Sequence, residues 1–196
     1  MKNLPIRTVL LSIFIIAAFF VFIVPGQLAG AGPGKPPEAN RMKPGHAPTP
    51  FSAEEIRSGC PRDRKIVFQV EVSGQPVLYR TTIFVTVNPD DTVLETVTTG
   101  TDGKKVGKKQ MMTAKWKDLQ AHASFPEKQT EIRSENYTTP AGIFDCWLYV
   151  VTTQKNGKRN VQCYWFAKSL PGPPICVEET ADGRLAYRLT MLKTGR

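Results

Sequence analysis

From Ile66 onward the apolar positions fall into a period of two. Ile66, Phe68, Val70 and Val72 alternate with Val67, Gln69 and Glu71, the pattern of a strand with one covered face. Pro76 to Val87 and Asp91 to Thr99 are rich in β-branched residues and read as two further strands, separated by the turn residues Asn88-Pro89-Asp90-Asp91. The period then changes. Trp116, Leu119 and Ala123 share one face of a helix that Pro126 must end. Strands resume at Glu131 to Thr138 and Ile143 to Thr152, and a last one runs from Arg184 to about Lys193. Upstream, Phe51-Ser52-Ala53-Glu54-Glu55-Ile56 carries a capping box between Ser52 and Glu55 and a staple between Phe51 and Ile56. A short helix therefore opens the domain and stops near Gly59-Cys60-Pro61. The predicted fold is mainly β (α+β): a strongly curved antiparallel sheet or open β-barrel with one or two short helices.

The strand from Ile143 is apolar on both faces, with Ile143, Trp147, Tyr149 and Val151 on one and Phe144, Cys146, Leu148 and Val150 on the other. Such a strand must be covered twice or must line an apolar interior. Asn156-Gly157 marks a two-residue hairpin after it, and Asp182-Gly183 another. Pairing Lys155 with Lys158 sets Val150 opposite Cys163, Leu148 opposite Trp165 and Cys146 opposite Ala167. Cys146 and Cys163 then lie four residues apart in register, roughly 13 Å at about 3.3 Å per residue. A disulfide needs Cα atoms within about 7 Å, so these two are expected not to be bonded to each other. Cys60 and Cys176 remain either disulfide partners in an oxidising compartment or buried thiols.

Before the domain the pattern is of another kind. Lys2 and Arg7 precede the run Val9 to Val24, apolar except at Ser12. As a helix its 16 residues reach roughly 24 Å, a little short of a hydrocarbon core of about 30 Å. Pro25-Gly26 breaks it, and Ala29-Gly30-Ala31 offers the small residues a signal peptidase requires. Residues 1–31 therefore read as a signal peptide or an N-terminal membrane anchor. No cysteine stands near the junction to carry a lipoprotein acyl group. Either outcome exports the rest, making it periplasmic, secreted, or inner-membrane-anchored facing outward. Residues 32–50, with six prolines and almost no large apolar side chain, read as an extended linker, either a spacer or a basic tether. Residues 51–196 form the exported antiparallel β domain.

The chain of 196 residues is 41% hydrophobic, too apolar for disorder, and carries 26 Lys+Arg against 17 Asp+Glu, net +9. Lys2 and Arg7, with Lys35, Arg41 and Lys43 against Glu38, put four of those nine units before the domain. Within it, Lys104, Lys105, Lys108 and Lys109 cluster in GTDGKKVGKK. That cluster is a turn and strand edge guarded by lysines, or a patch for an anionic partner. Nucleic acid is not an expected partner, since no binding motif accompanies the charge.

Catalytic signatures are scarce. No GxSxG, HExxH, CxxC, P-loop or dinucleotide glycine motif occurs. A Cys/His nucleophile would need His122 beside Cys60, Cys146 or Cys163, yet His122 sits on a short helix facing solvent. His46, the other histidine, lies in the Pro-rich segment. The acidic pairs Glu54-Glu55, Asp90-Asp91 and Glu178-Glu179 belong to a cap, a turn and a strand. Asn136-Tyr137-Thr138 fits a glycosylation acceptor, which matters only in a eukaryotic secretory pathway. No enzyme activity, cofactor or metal is expected.

Toward the C-terminus stand Pro140-Ala141-Gly142-x-Phe144, Tyr164-Trp165-Phe166 and Leu170-Pro171-Gly172-x-Pro174. This order resembles the strand repeats of LolA/LolB-like, lipoprotein-carrier-like exported bacterial domains, over about a third of the chain. The resemblance implies a curved antiparallel sheet wrapped on one or two helices, with a concavity able to hold acyl chains. The family's lipid-handling residues do not match here position by position. Two functions follow. In the first, a non-enzymatic exported domain binds a lipid, lipoprotein or other apolar ligand in a cleft lined by Trp116, Leu119, Trp147, Tyr149 and Trp165. In the second, an interaction module, membrane-tethered through its N-terminal segment or secreted, meets an anionic envelope partner through Lys104 to Lys109.

Overall fold

The computed structural model describes residues 35–155 and 157–195. The expected leader, residues 1–31, lies outside them. Among the described residues no helix is long and apolar enough to cross a membrane.

The fold is mostly β. Nine antiparallel strands make one open sheet, in the order β4-β3-β2-β1-β9-β8-β7-β6-β5. They are β1 Lys65–Val72, β2 Leu78–Val87, β3 Asp91–Gly100, β4 Gln110–Lys115, β5 Thr130–Thr139, β6 Gly142–Lys155, β7 Lys158–Ala167, β8 Cys176–Ala181 and β9 Arg184–Gly195. Two meanders, β1 to β4 and β5 to β9, meet where β9 pairs with β1. Helix α1 (Ala53–Gly59) precedes the sheet, and α2 (Trp116–Ala121) joins the two meanders. The capping box is present: Ser52 Oγ accepts from Glu55 N at 3.2 Å, and Ser52 N donates to Glu55 Oε2 at 2.7 Å.

The β6–β7 hairpin has the register its turn dictates. Lys155 pairs with Lys158, Val150 with Cys163, Leu148 with Trp165 and Cys146 with Ala167. All four cysteines are free thiols. Strand β4 is absent from the sequence reading. It is an edge strand whose residues are almost all exposed, so no alternation betrays it.

β6 is covered on both sides, as its composition demanded. On the front face Tyr149 packs with Phe125 and Phe166, beneath α1, α2 and the chain that leads into α1. On the back face the C-terminal meander curls until β5 touches β9, across the three strands between them. Leu148, Cys146, Trp165 and Cys176 are enclosed there. Tyr137 closes that side, its ring 4.4 Å from Trp165 and its hydroxyl donating to Cys176 Sγ at 3.3 Å.

The linker expectation fails for residues 35–50. Pro36, Ala47, Pro48, Thr49 and Pro50 are buried against the domain. Thr49 Oγ1 lies 3.0 Å from the Asn40 carbonyl and 2.9 Å from that of Phe51, and Gln120 Nε2 donates to Thr49 Oγ1 at 3.0 Å. Ala47 N donates to Phe125 O at 2.9 Å, and Tyr149 Oη donates to Pro48 O at 2.7 Å. Arg41 adds ion pairs to Glu38 and Glu127. The scarcity of large apolar side chains suggested a solvated chain. Proline has little backbone freedom to lose on ordering, and here side chains of the domain satisfy the carbonyls. Residues 35–51 form a strap, not a spacer.

Candidate functional site

The front face does not fill completely. Ile66 and Phe68 of β1, Thr82 and Phe84 of β2, Leu94 of β3, and Tyr164 and Phe166 of β7 form the floor of a cavity of about 240 Å³. Register puts these side chains on one face: Ile66 lies opposite Thr82 and Phe84 opposite Leu94. Phe51 at the end of the strap, Ile56 of α1 and Leu119 of α2 cover the floor, and Gly172, Pro173 and Pro174 close one end. Polar contributions come from Thr82, Gln120 and His122, and His122 is exposed, which marks the mouth on the α2 side. The volume is below the roughly 300 Å³ at which drug-sized ligands are held. It suits one apolar chain rather than a whole lipid.

Only Leu119 of the five aromatic and aliphatic candidates lines this space. Trp116 lies one layer behind it, buried and stacked on Phe84 with ring centroids 6.4 Å apart, its indole N–H donating to Asn88 O at 2.9 Å. Tyr149 is wholly buried and engaged with the strap. Trp147 lies nearer solvent, under the Lys168 ammonium at 4.0 Å. Trp165 is on the other side of the sheet, with its indole N–H donating to Glu135 Oε1 at 2.7 Å. The correction follows from pairing already legible in the sequence. Trp165 faces Leu148, so it cannot share a face with Tyr149. Its neighbours Tyr164 and Phe166, one step away on a period of two, are the ones that line the cavity.

The four lysines are exposed around the β3–β4 connection. Lys104 pairs with Asp102 at 3.4 Å and Lys109 with Glu95 at 3.0 Å. Lys105 closes an isolated bridge to Thr99. Two of the four charges are thus partly answered within the chain.

The candidate nucleophiles are set in unreactive surroundings. Cys60 and His122 both line the cavity. Burial nevertheless pushes the Cys60 thiol up to about 11, against the pull of Arg64, so it stays protonated at neutral pH. Burial, helped by Asp145 and Glu135, also raises Cys146 to about 11. His46, set aside in the sequence as part of a linker, holds a defined position. Its Nδ1 lies 2.8 Å from Ser124 O and 3.1 Å from Ser124 Oγ. A carbonyl only accepts, so Nδ1 carries the proton and cannot serve Ser124 as a base. The pair fastens the strap to the loop after α2. Among the described residues no cluster of His, Cys, Asp and Glu could hold a metal ion.

No family model and no curated protein matches the chain. Among solved structures, one presented as an exported protein with a YmcC-like fold from Bacteroides fragilis aligns with 9% identity and a TM-score of 0.47. The alignment covers 69% of this chain and 97% of that one. A superposition of that quality carries no argument about this chain.

Proposed function

We propose that the chain is a non-enzymatic exported envelope protein whose front-face cavity takes one apolar chain of a lipid, a lipoprotein or a similar ligand. The carrying observation is the cavity itself: about 240 Å³, roofed by two helices and a strap, and walled by apolar side chains from β1, β2, β3 and β7. A space left open among large aromatic residues forfeits packing, and an apolar occupant would restore it. Export rests on the leader pattern, and the LolA/LolB-like resemblance of the C-terminal block supports the same reading.

The test is displacement of an environment-sensitive hydrophobic dye by medium-length alkyl chains, on the wild type and on Ala123→Leu. Ala123 is buried and lines the cavity, so the added methyl groups occupy ligand space. The reading expects saturable, displaceable dye binding that Ala123→Leu weakens while leaving the fold intact. Dye binding unchanged by Ala123→Leu, or none in the wild type, rejects it.

A second reading keeps the lysine cluster as a contact for an anionic envelope partner. It draws on Lys105 and Lys108, exposed on the β3–β4 connection beside an edge strand. It expects salt-sensitive binding to anionic envelope material that is lost when the four lysines become glutamines. Retention by the glutamine variant removes that reading.

A further inference from the structure

The size of the front-face cavity limits what it can hold. An apolar cavity of roughly 150 Å³ takes the six carbons of benzene, which is roughly 25 Å³ for each carbon. At about 240 Å³ the space here accommodates about ten carbons, short of one long acyl chain and far short of two. Its lining spreads from Leu94 on β3 to Tyr164 on β7, with β2, β1, β9 and β8 between them in the sheet. A space of this volume drawn out across several strands is narrow, so an unbranched chain suits it better than a compact ring system.

The two ends differ. One is closed by Gly172, Pro173 and Pro174, whose side chains carry no polar atom. Packed groups back the wall there. A Cβ on Gly172, at φ +141°, would stand 3.0 Å from Cys60 Sγ and 3.3 Å from Arg64 Nη1, and one on Gly59 would collide with Pro171 O. Arg64, buried at 4% exposure, donates from Nη1 to the carbonyls of Gly59 and Pro171, the latter at 2.9 Å. It fastens the 170–174 loop to the end of α1, so the loop makes a fixed stop. The other end is the mouth, where His122 is exposed and lines the cavity.

We infer that the cavity gauges length, taking one unbranched chain of about ten carbons whose methyl end is stopped by the 170–174 loop and whose polar head sits in water beside His122. This rests on the proposed binding of an apolar chain and adds which chain, a single one of medium length. Up to the stop, each added methylene is buried and strengthens binding. Past it, each further methylene is left in water at the mouth and adds nothing.

The experiment measures affinities of the protein for the straight-chain carboxylates from hexanoate to hexadecanoate, all below micelle-forming concentrations, by displacement of a hydrophobic dye. The head is shared, so chain length is the only variable. Affinity is expected to rise about fourfold per methylene to a break at about ten carbons, and to level off or fall beyond it. Two substitutions in the lining move the break in opposite directions. Ala123→Leu fills the space of about three carbons and shortens the favoured chain by as many, whereas Leu119→Ala vacates about three and lengthens it. Should either variant not fold, the other and the wild-type series decide. Affinity still climbing at hexadecanoate, a break below about eight or above about twelve carbons, or a break that neither substitution moves overturns the inference. Binding of no carboxylate at any length overturns the apolar-chain reading beneath it, a separate outcome.

Discussion

Replacing Tyr149 by Phe tests whether the strap belongs to the domain. The ring stays, so the packing against Phe125 and Phe166, with centroids 5.9 and 5.5 Å away, is preserved. Only the hydroxyl is lost, and with it the 2.7 Å bond to Pro48 O. Tyr149 is 0% exposed and Pro48 is buried, so water does not replace the missing donor. Leaving a buried acceptor unsatisfied costs about 1–3 kcal/mol. That cost falls on the strapped state, since the carbonyl is hydrated once the strap lifts. Amide exchange reads it directly. Ala47 N is bonded to Phe125 O at 2.9 Å and Thr49 N to Asn40 O at 3.3 Å, so both amides are protected while the strap is down. Opening that is easier by this amount speeds their exchange roughly 5- to 150-fold, while amides of β1 and β9 keep their rates. Unchanged exchange at Ala47 and Thr49 in a folded Tyr149→Phe protein would show that the Pro48 carbonyl does not hold the strap down. So would exchange in the wild type as fast as in a free peptide.

Burial raises Tyr149 and Tyr164 well above the ordinary tyrosine value, desolvation of the phenolate being the principal cause in both. Groups with raised folded pKa contribute stability that is whole below the unfolded value of about 10 and is lost as pH climbs through the folded value. The protein is therefore expected to unfold in alkali above about pH 10, with tyrosinate absorbance appearing together with loss of circular dichroism. Normal titration of both residues in a persisting fold contradicts this. Thiol mapping without reduction is expected to recover Cys146 and Cys163 separately, and native alkylation to reach half-exposed Cys163 before buried Cys60, Cys146 and Cys176. A Cys146–Cys163 peptide pair would break the β6–β7 register. Gly59→Ala should destabilise the domain, because a Cβ there collides with the Pro171 carbonyl. A melting temperature within a degree or so of wild type would show that the loop yields.

What the sequence made legible was local. The turn between Lys155 and Lys158 set a ten-pair register residue by residue. The capping box placed α1, and the doubly apolar β6 announced that the sheet had to be covered twice. Three features escaped for physical reasons. Strand β4 is an edge strand exposed almost throughout, so it has no hidden face to impose alternation. The strap is held by individual hydrogen bonds to Pro48, Thr49 and Ala47, which composition does not register. The cavity depends on which of two neighbouring aromatics faces the helices. There the pattern contained the answer, since Trp165 pairs with Leu148 and Tyr164 with Tyr149. Aromatic size drew attention to Trp165, whereas parity along the strand selects Tyr164 and Phe166.

The proposed occupancy of the front-face cavity by one apolar chain is open to direct measurement. Native mass spectrometry of the protein, recovered without detergent, measures it. The expected result is a species heavier than the polypeptide by one small amphiphile, returning to the bare mass after organic extraction. Bare polypeptide alone, both as isolated and after incubation with decanoate, would contradict it.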